Sequence, residues 1–429
     1  MKRTALGVSL ILCAGLGATA GSSSAGASST LPAVVSANPA DYTPNVVSNP
    51  TQAHTAVYAL SQLGGTIYAG GGIFDTVLDS TRATTYSRHD IVAFSATTGS
   101  VTPFAPVVNG EVWAIQSVGG SVYIGGYFTA VNGVARRGVA KLDAVTGAVD
   151  RAFNARFSSG HVTAISLTNG RLIVGGSFPG QLRALNPATG ANTGYIKDRI
   201  TGQVASNTGP TAVYRFAVSP AGHRLVAIGN FTAVDGSARS RAFMLDLGIT
   251  SSTLDPWYYA PLTRTCRAAV RIPQYLRGVD FSPNGRWFVI VATGSVPATQ
   301  AGIGRDVCDA AARFESDVAA PVRPTWINYT GGDTMHSVAA SNNAVYVQGH
   351  FRWLDNPEGR DFAGVGAVPR QGIGAIDPIT GKALAWNPGK SRGVGGKALL
   401  VTSGGLWVGS DTDVAAGEHH DKIAFFPLP

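Results

Sequence analysis

Tyr123-Ile124-Gly125-Gly126-Tyr127-Phe128 is a short apolar strand closed by two glycines and an aromatic pair. Related endings recur at Ile173-Val174-Gly175-Gly176-Ser177-Phe178, Ala227-Ile228-Gly229-Asn230-Phe231 and Val347-Gln348-Gly349-His350-Phe351. Each follows an earlier strand and a turn. In most copies a third strand comes next and ends on a turn, as in Leu142-Asp143-Ala144-Val145-Thr146-Gly147, Leu185-Asn186-Pro187-Ala188-Thr189-Gly190 and Ile376-Asp377-Pro378-Ile379-Thr380-Gly381. A long repeat with only period-two patterning implies blades set around an axis. The expected fold class is all-β: a single seven-bladed β-propeller over residues 28–429, with first strands starting near residues 55, 111, 161, 211, 274, 334 and 396.

The turns support this division. Thr168-Asn169-Gly170 carries the Asn-Gly pair that suits two residues at positive φ. Ser219-Pro220-Ala221-Gly222 and Ser282-Pro283-Asn284-Gly285 are strong turn signals. The Asp or Asn that ends the third strand closes an Asx-turn, so these acids are structural rather than catalytic. Repeat spacings of 50 to 63 residues exceed the ~40–50 residues of a compact blade. The excess belongs in loops after the second strand of blades 1, 5 and 6, and before blade 5.

Blade 7 lacks a fourth strand, because the chain stops soon after Ile423–Phe426. The extended segment Tyr42–Val47 is expected to pair with that strand, closing the ring and removing an open edge.

Residues 1–27 read as a secretory leader and a flexible start. Lys2 and Arg3 precede the apolar run Ala5 to Gly17, and Ala18-Thr19-Ala20 and Ala25-Gly26-Ala27 are candidate cleavage signals. No later apolar run approaches the ~20 residues of a membrane helix. A secreted, extracellular protein is therefore expected. Cys266 and Cys308 remain after the leader, and an isolated pair outside the cytoplasm favours a disulfide. Cys266 lies in the connection entering blade 5 and Cys308 in that blade's insert, on one rim.

The formal charge of +8 falls to about +6 without Lys2 and Arg3. The basic residues are dispersed, against the dense stripe of a nucleic-acid binder, so no nucleic-acid partner is expected. Mild attraction to an anionic polymer fits the charge. There are seven lysines against 26 arginines and 54 glycines, a composition typical of high-GC actinobacterial secreted proteins.

Gly125-Gly126-Tyr127-Phe128-Thr129-Ala130-Val131-Asn132-Gly133, Asn230-Phe231-Thr232-Ala233-Val234-Asp235-Gly236 and the Leu-Asp-x-x-Thr-Gly turn resemble the secreted actinobacterial β-propeller proteins built from delta-60-type repeats. The tail from Thr330-Gly331-Gly332-Asp333-Thr334 to Ala424-Phe425-Phe426-Pro427-Leu428 is similar to the same group. The resemblance spans most of the chain after the leader. It implies a propeller and secretion, and carries no activity.

Aligning the first strands gives one column: Tyr58, Trp113, Thr163, Tyr214, Arg277, His336 and Lys397. First strands line a propeller's channel, so these side chains are expected around one mouth. Aromatic faces beside polar groups suit a sugar or a peptide. The candidate ligand-binding residues are Tyr58, Trp113, Tyr214, Arg277, His336 and Trp353.

A second grouping on the same rim contains Asp333, His336, His350, Arg352, Trp353, Asp355, Asp411, Asp413, Glu418, His419, His420, Asp421, Arg88, His89 and Asp90. It has no dense metal-ligand motif, so no metal is expected. No nucleophile elbow or phosphate loop occurs, and no cofactor is expected. The leading expectation is a monomeric, non-catalytic module that binds a glycan or a protein. The alternative is a carbohydrate-active enzyme, a lyase or hydrolase on an acidic polysaccharide, with His336, His350, Arg277 and Tyr214 as candidate catalytic residues.

Overall fold

In the first sheet, Ala56–Leu63 pairs antiparallel with Thr66–Gly72, which pairs with Ile91–Ser95. The same order recurs along the chain, with inner strands Glu111–Val118, Val162–Thr168, Ala212–Val218, Leu276–Phe281, Met335–Ala340 and Ala398–Thr402. The computed structural model describes residues 30–49, 55–267, 273–319 and 321–429. The leader expected at residues 1–27 lies outside the described residues. Apart from two short 3-10 turns, the regular elements described are strands, so the protein is all-β. No described helix is long and apolar enough to cross a membrane.

Hairpin turns follow the local chemistry. Asn169 and Gly170 both take positive φ, 50° and 71°. Asp143 Oδ1 accepts the N–H groups of Val145 and Thr146 at 3.0 and 2.7 Å, and Asp377 does the same for Ile379 and Thr380. Those bonds hold both carboxyls below their usual range. A fourth regular strand occurs in the fourth and fifth sheets, Ser252–Leu254 and Trp326–Tyr329. Elsewhere it shrinks to a single bridge, as at Leu142↔Val149 and Ile376↔Ala383.

The core lies between sheets. One cluster joins Ile115 and Ile124 of the second sheet to Ala59 and Tyr68 of the first. Another joins Val57 and Phe94 of the first sheet to Trp407 and Phe425 of the last. Val57 N–H also donates to Ser410 O at 2.9 Å, so the two ends of the repeat are neighbours.

Six inner strands carry a register shift at the same place, between Val57/Ala59, Val112/Ala114, Val162/Ala164, Val213/Arg215, Leu276/Gly278 and Met335/Ser337. Each is a β-bulge with one extra residue. The bulge drives a carbonyl into the second strand. A Cβ on Gly126 would lie 1.9 Å from Glu111 O, and one on Gly176 would lie 2.0 Å from His161 O. With the carbonyl this close, only glycine fits at these two positions. The preceding glycine faces outward: a Cβ on Gly125 would meet Val162 Cγ1 of the next sheet at 2.7 Å. The fifth sheet has Ala292 and Val291 at these places, and Gly278 on the inner strand supplies the small residue instead. Phe74, Phe128, Phe178, Phe231 and Phe351, which end the motif, are all buried.

The N-terminal segment departs from the expected pairing. Asn45–Val46 pairs with Thr76–Leu78 of the first sheet's insert, and not with Ile423–Phe426. The residues beside the last strand lie earlier: Ser36 N–H donates to Pro427 O and Ala40 N–H to Phe425 O. Four residues on one side thus span two on the other, so no regular ladder forms. Pro39 removes a donor in between. Upstream, Asn342 Oδ1 accepts from Leu31 N–H at 2.6 Å, and Trp386 Nε1–H donates to Ser36 O at 3.0 Å. The segment is a strap across the sixth, seventh and first sheets.

Cys266 and Cys308 form a disulfide with a sequence separation of 42. In the chain-entropy picture a loop of that length contributes about 4 kcal/mol. Replacing both cysteines by serine should lower the midpoint of denaturant unfolding by that order, with the slope read alongside it. Gly126→Ala should destabilise by roughly 1–3 kcal/mol through overpacking, whereas Gly120→Ala, which has nothing within 4 Å of its Cβ, should stay within about 0.5 kcal/mol of the parent. Equal melting temperatures for the two glycine variants would show that the bulge carbonyl does not constrain the second strand.

Candidate functional site

The bulge decides where the column of inner-strand residues points. Its extra residue is Tyr58, Trp113, Thr163, Tyr214, Arg277 or His336 in turn. A bulge re-aims the side chain it carries, and all six line one cavity of about 480 Å³. Lys397 joins them, its N–H donating to Gly409 O just ahead of Ala398–Thr402. Glu111, His161, Arg215 and Val394 complete the lining. A narrower space of about 180 Å³ continues along the same inner strands.

Arg215 is absent from the sequence-derived column. The next position holds Ala59, Ala114, Ala164, Gly278, Ser337 and Ala398 in the other sheets, and arginine only in the fourth. Its guanidinium donates to Thr163 O, and to Trp113 O at 3.3 Å, tying the fourth sheet to the third and second. Strict alternation directs Arg215 away from the axis. The bulge at Tyr214 turns Tyr214 and Arg215 both towards it. The one signal in the sequence was a large cation in a column of small residues.

The cavity is electropositive. Arg215, Arg277 and Lys397 face it, and Glu111 is the one acid in its lining. Arg277 stacks on Tyr275 at 4.2 Å and lies 5.8 Å from the centre of Tyr214. Its Nε has no hydrogen-bond partner among the described residues. Burial depresses its pKa, against the pull of Tyr214 and Tyr275. Burial also lowers Lys397, an effect opposed by Asp411 and reinforced by Arg277 and Arg215. Asp411 does not pair with Lys397; its Oδ2 accepts Val394 and Gly395 N–H at 2.8 and 3.2 Å.

Arg215 is brought down to about 10 by burial and then by Arg277. His336 falls well below its ordinary value through burial, with Lys397 and Arg277 adding to it, so its imidazole is neutral at pH 7. Tyr214 is pushed up to about 12 by burial and stays protonated. Burial raises Tyr58 further, helped by Glu111 and Asp411.

The second grouping separates into local braces. Asp333 accepts from Arg352 at 2.7 and 3.2 Å and from Arg392 at 2.9 Å. Trp353 lies outside the cavity, beneath the Arg352 guanidinium at 4.4 Å. His350 Nδ1–H donates to Gly393 O at 2.5 Å, also outside the lining. Asp355 holds Asn328 and Ala383 N–H. Asp90 accepts from Phe74 N–H at 3.0 Å, and Arg88 donates to Ser87 O and Thr102 O. His89 Nε2 lies 3.4 Å from Ser87 Oγ.

Near the strap, His420 contacts Thr43 Oγ1 at 3.0 Å and Glu418 at 3.5 Å, Asp421 pairs with Arg82 at 2.9 Å, and Asp413 pairs with Lys422. His419 is exposed. No group of three or more His, Cys, Asp or Glu among the described residues is arranged to hold a metal.

A structural arginine repeat also escaped the sequence. Arg88, Arg136, Arg239 and Arg370 each stand three residues before a third strand. Each donates to the carbonyl before it and to a carbonyl beyond that strand, such as Asp150 O for Arg136 and Asp255 O for Arg239. The signal was a fixed offset, spread over units of unequal length.

Comparison with known proteins supports the fold. A family model described as a domain of unknown function (DUF5122) beta-propeller matches residues 120–153. No curated protein matches the sequence. The fold is similar to the RRP9 WD40 repeats, with 12% identity, 91% of this chain and 99% of that chain covered, and a TM-score of 0.52. U3-55K shows 12% identity, 91% and 100% coverage and a TM-score of 0.52. Kuenenia stuttgartiensis hydrazine synthase shows 12% identity, 88% and 98% coverage and a TM-score of 0.51. At such identity the likeness concerns fold alone: the chain is all-β and propeller-like.

Proposed function

We propose that this chain is a secreted, closed seven-bladed β-propeller that acts as a non-catalytic binding module, taking a carboxylate-bearing extracellular ligand, on a glycan or a protein, into its channel mouth. The observation that carries this is the set of three cations facing the cavity, of which Arg277 and Lys397 form no ion pair with a described carboxylate. Cations drawn out of water without an acid partner are costly unless a ligand neutralises them. Guanidinium and ammonium groups bind carboxylates through charge-assisted hydrogen bonds. The leader-like sequence and the disulfide support secretion. The succession of packed sheets, with the first against the last, supports the closed ring.

His336, Tyr214 and Arg277 also support a second reading, a lyase on an acidic polysaccharide. A neutral imidazole would take the proton beside the uronate carboxylate, a protonated phenol would give one to the departing glycosidic oxygen, and Arg277 would stabilise the enolate-like charge. A rise in ultraviolet absorbance from an unsaturated product, lost in His336→Ala, would establish it.

Ring closure has its own test. Deleting residues 30–44 should lower the melting temperature and promote aggregation through the exposed last strand. An unchanged melting temperature would overturn closure by the strap. For the mouth, calorimetric titration with galacturonic acid should show binding where galactose shows none. Arg277→Met with Lys397→Met should abolish it. Because binding needs the Lys397 ammonium and its pKa is lowered, affinity should fall as pH rises, starting below the ordinary lysine range. Equal binding of galactose, or no effect of the double variant, would reject the anion site.

A further inference from the structure

A groove of about 660 Å³ opens beside the mouth along the second sheet and shares Glu111, Trp113 and His161 with it. Its aromatic element is a shelf of three rings. Tyr127 ends the strand Ser121–Tyr127 and is 65% exposed, although its neighbours Gly126 and Phe128 are buried. Its ring lies within 22° of parallel to Trp113, with centroids 6.2 Å apart. His161 stands edge-on to Trp113 at 4.8 Å and to Tyr127 at 5.9 Å. The shelf is fixed in place: Trp113 Nε1–H donates to Glu111 Oε2 at 2.6 Å, and His161 Nδ1 contacts Ser177 Oγ at 3.1 Å. Burial lowers the His161 pKa, so its ring is neutral at pH 7. Arg137, which lines the groove but not the mouth, is exposed.

We propose that the Trp113–Tyr127–His161 shelf is a pyranose subsite continuous with the mouth, so that the ligand is an oligosaccharide of uronic acids at least two rings long. This rests on the mouth taking a carboxylate. Pyranose rings present a flat C–H face that stacks on aromatic faces and hydroxyls around the edge that need polar partners. Glu111 and His161 stand at that edge as such partners. An acidic peptide lying on the same shelf would bring its carboxylates against Glu111, a like-charge contact. Uronate carboxylates alternate with neutral edges, which matches cations at the mouth, the one carboxylate of Glu111 shared by mouth and groove, and Arg137 in the groove alone.

The test is titration of the purified protein, followed by calorimetry and tryptophan fluorescence, with galacturonic acid, tetragalacturonate, cellotetraose and tetraglutamate. Tetragalacturonate should bind about tenfold more tightly than the monomer, the scale of one aromatic stacking contact. Tyr127→Ala, an exposed position whose melting temperature serves as a folding control, should erase that gain and leave galacturonic acid binding unchanged. If Tyr127→Ala leaves tetragalacturonate affinity intact, the shelf is not a subsite, while the anion site at the mouth stands. Tetraglutamate binding that depends on Tyr127 would overturn the saccharide assignment in favour of a peptide. Absence of galacturonic acid binding in the parent protein would remove the anion site, and the uronate proposal with it. Cellotetraose binding as tight as tetragalacturonate would overturn the acidic character of the ligand.

Discussion

A single steric contact organises this molecule: a bulged inner-strand carbonyl seated where a side chain of the second strand would begin. The contact of Glu111 O with Gly126 is repeated by His161 O with Gly176 and Ala212 O with Gly229. In these sheets it demands glycine opposite the bulge. In the first three sheets a second glycine beside it lets the next sheet approach, as Val162 does against Gly125. One short motif therefore sets both the shape of each sheet and the distance to its neighbour. The fifth sheet keeps the packing by moving the small residue across the strand pair, to Gly278 opposite Val291.

The same bulge builds the candidate site. An extra residue on six of the inner strands aims a side chain at the axis, and in the fourth sheet its neighbour Arg215 follows. The column at the mouth thus came free of the packing rules that govern the rest of the strand. It holds aromatics, cations and one histidine where the interior between sheets holds valine, isoleucine and alanine. Burial then acts on these groups together: it neutralises His336, keeps Tyr214 protonated and leaves Arg277 and Lys397 as cations in no ion pair with a described carboxylate. Apart from Lys397, charge at the mouth follows from which residues the bulge re-aims.

Most polar residues on the loop-rich rim have a different role. Asp333 locks two arginines, Asp355 bridges Asn328 and the Ala383 N–H, and Arg88, Arg136, Arg239 and Arg370 clip loops to strand ends. In loops this long, backbone carbonyls need donors, and arginine reaches several at once. A rim rich in His, Asp and Arg therefore looks chemical in a linear list while most of its members are committed to holding the backbone.

Local order was legible in the amino-acid sequence: period-two strands, Asn-Gly and Ser-Pro turns, Asx-turns at Asp143 and Asp377, and the glycine pair all act through neighbours in the chain. So was the cysteine pair, because Cys266 and Cys308 stand apart from Cys13 as an isolated couple, which leaves one partner for each. Tertiary structure alone decided the rest. Arg215 enters the channel because the bulge at Tyr214 breaks alternation, and that bulge exists only when the strand curves against its neighbours. Trp353 and His350 left the mouth because Arg352 and Gly393 O hold them elsewhere. The segment around Tyr42–Val47 has extended character in sequence, but its partner was chosen by contacts some 300 to 380 residues away, with Asn342, Tyr346 and Asp421. Period and turn chemistry specify what a strand is. Which edge it meets depends on donors left free by prolines and on the surfaces that distant sheets present.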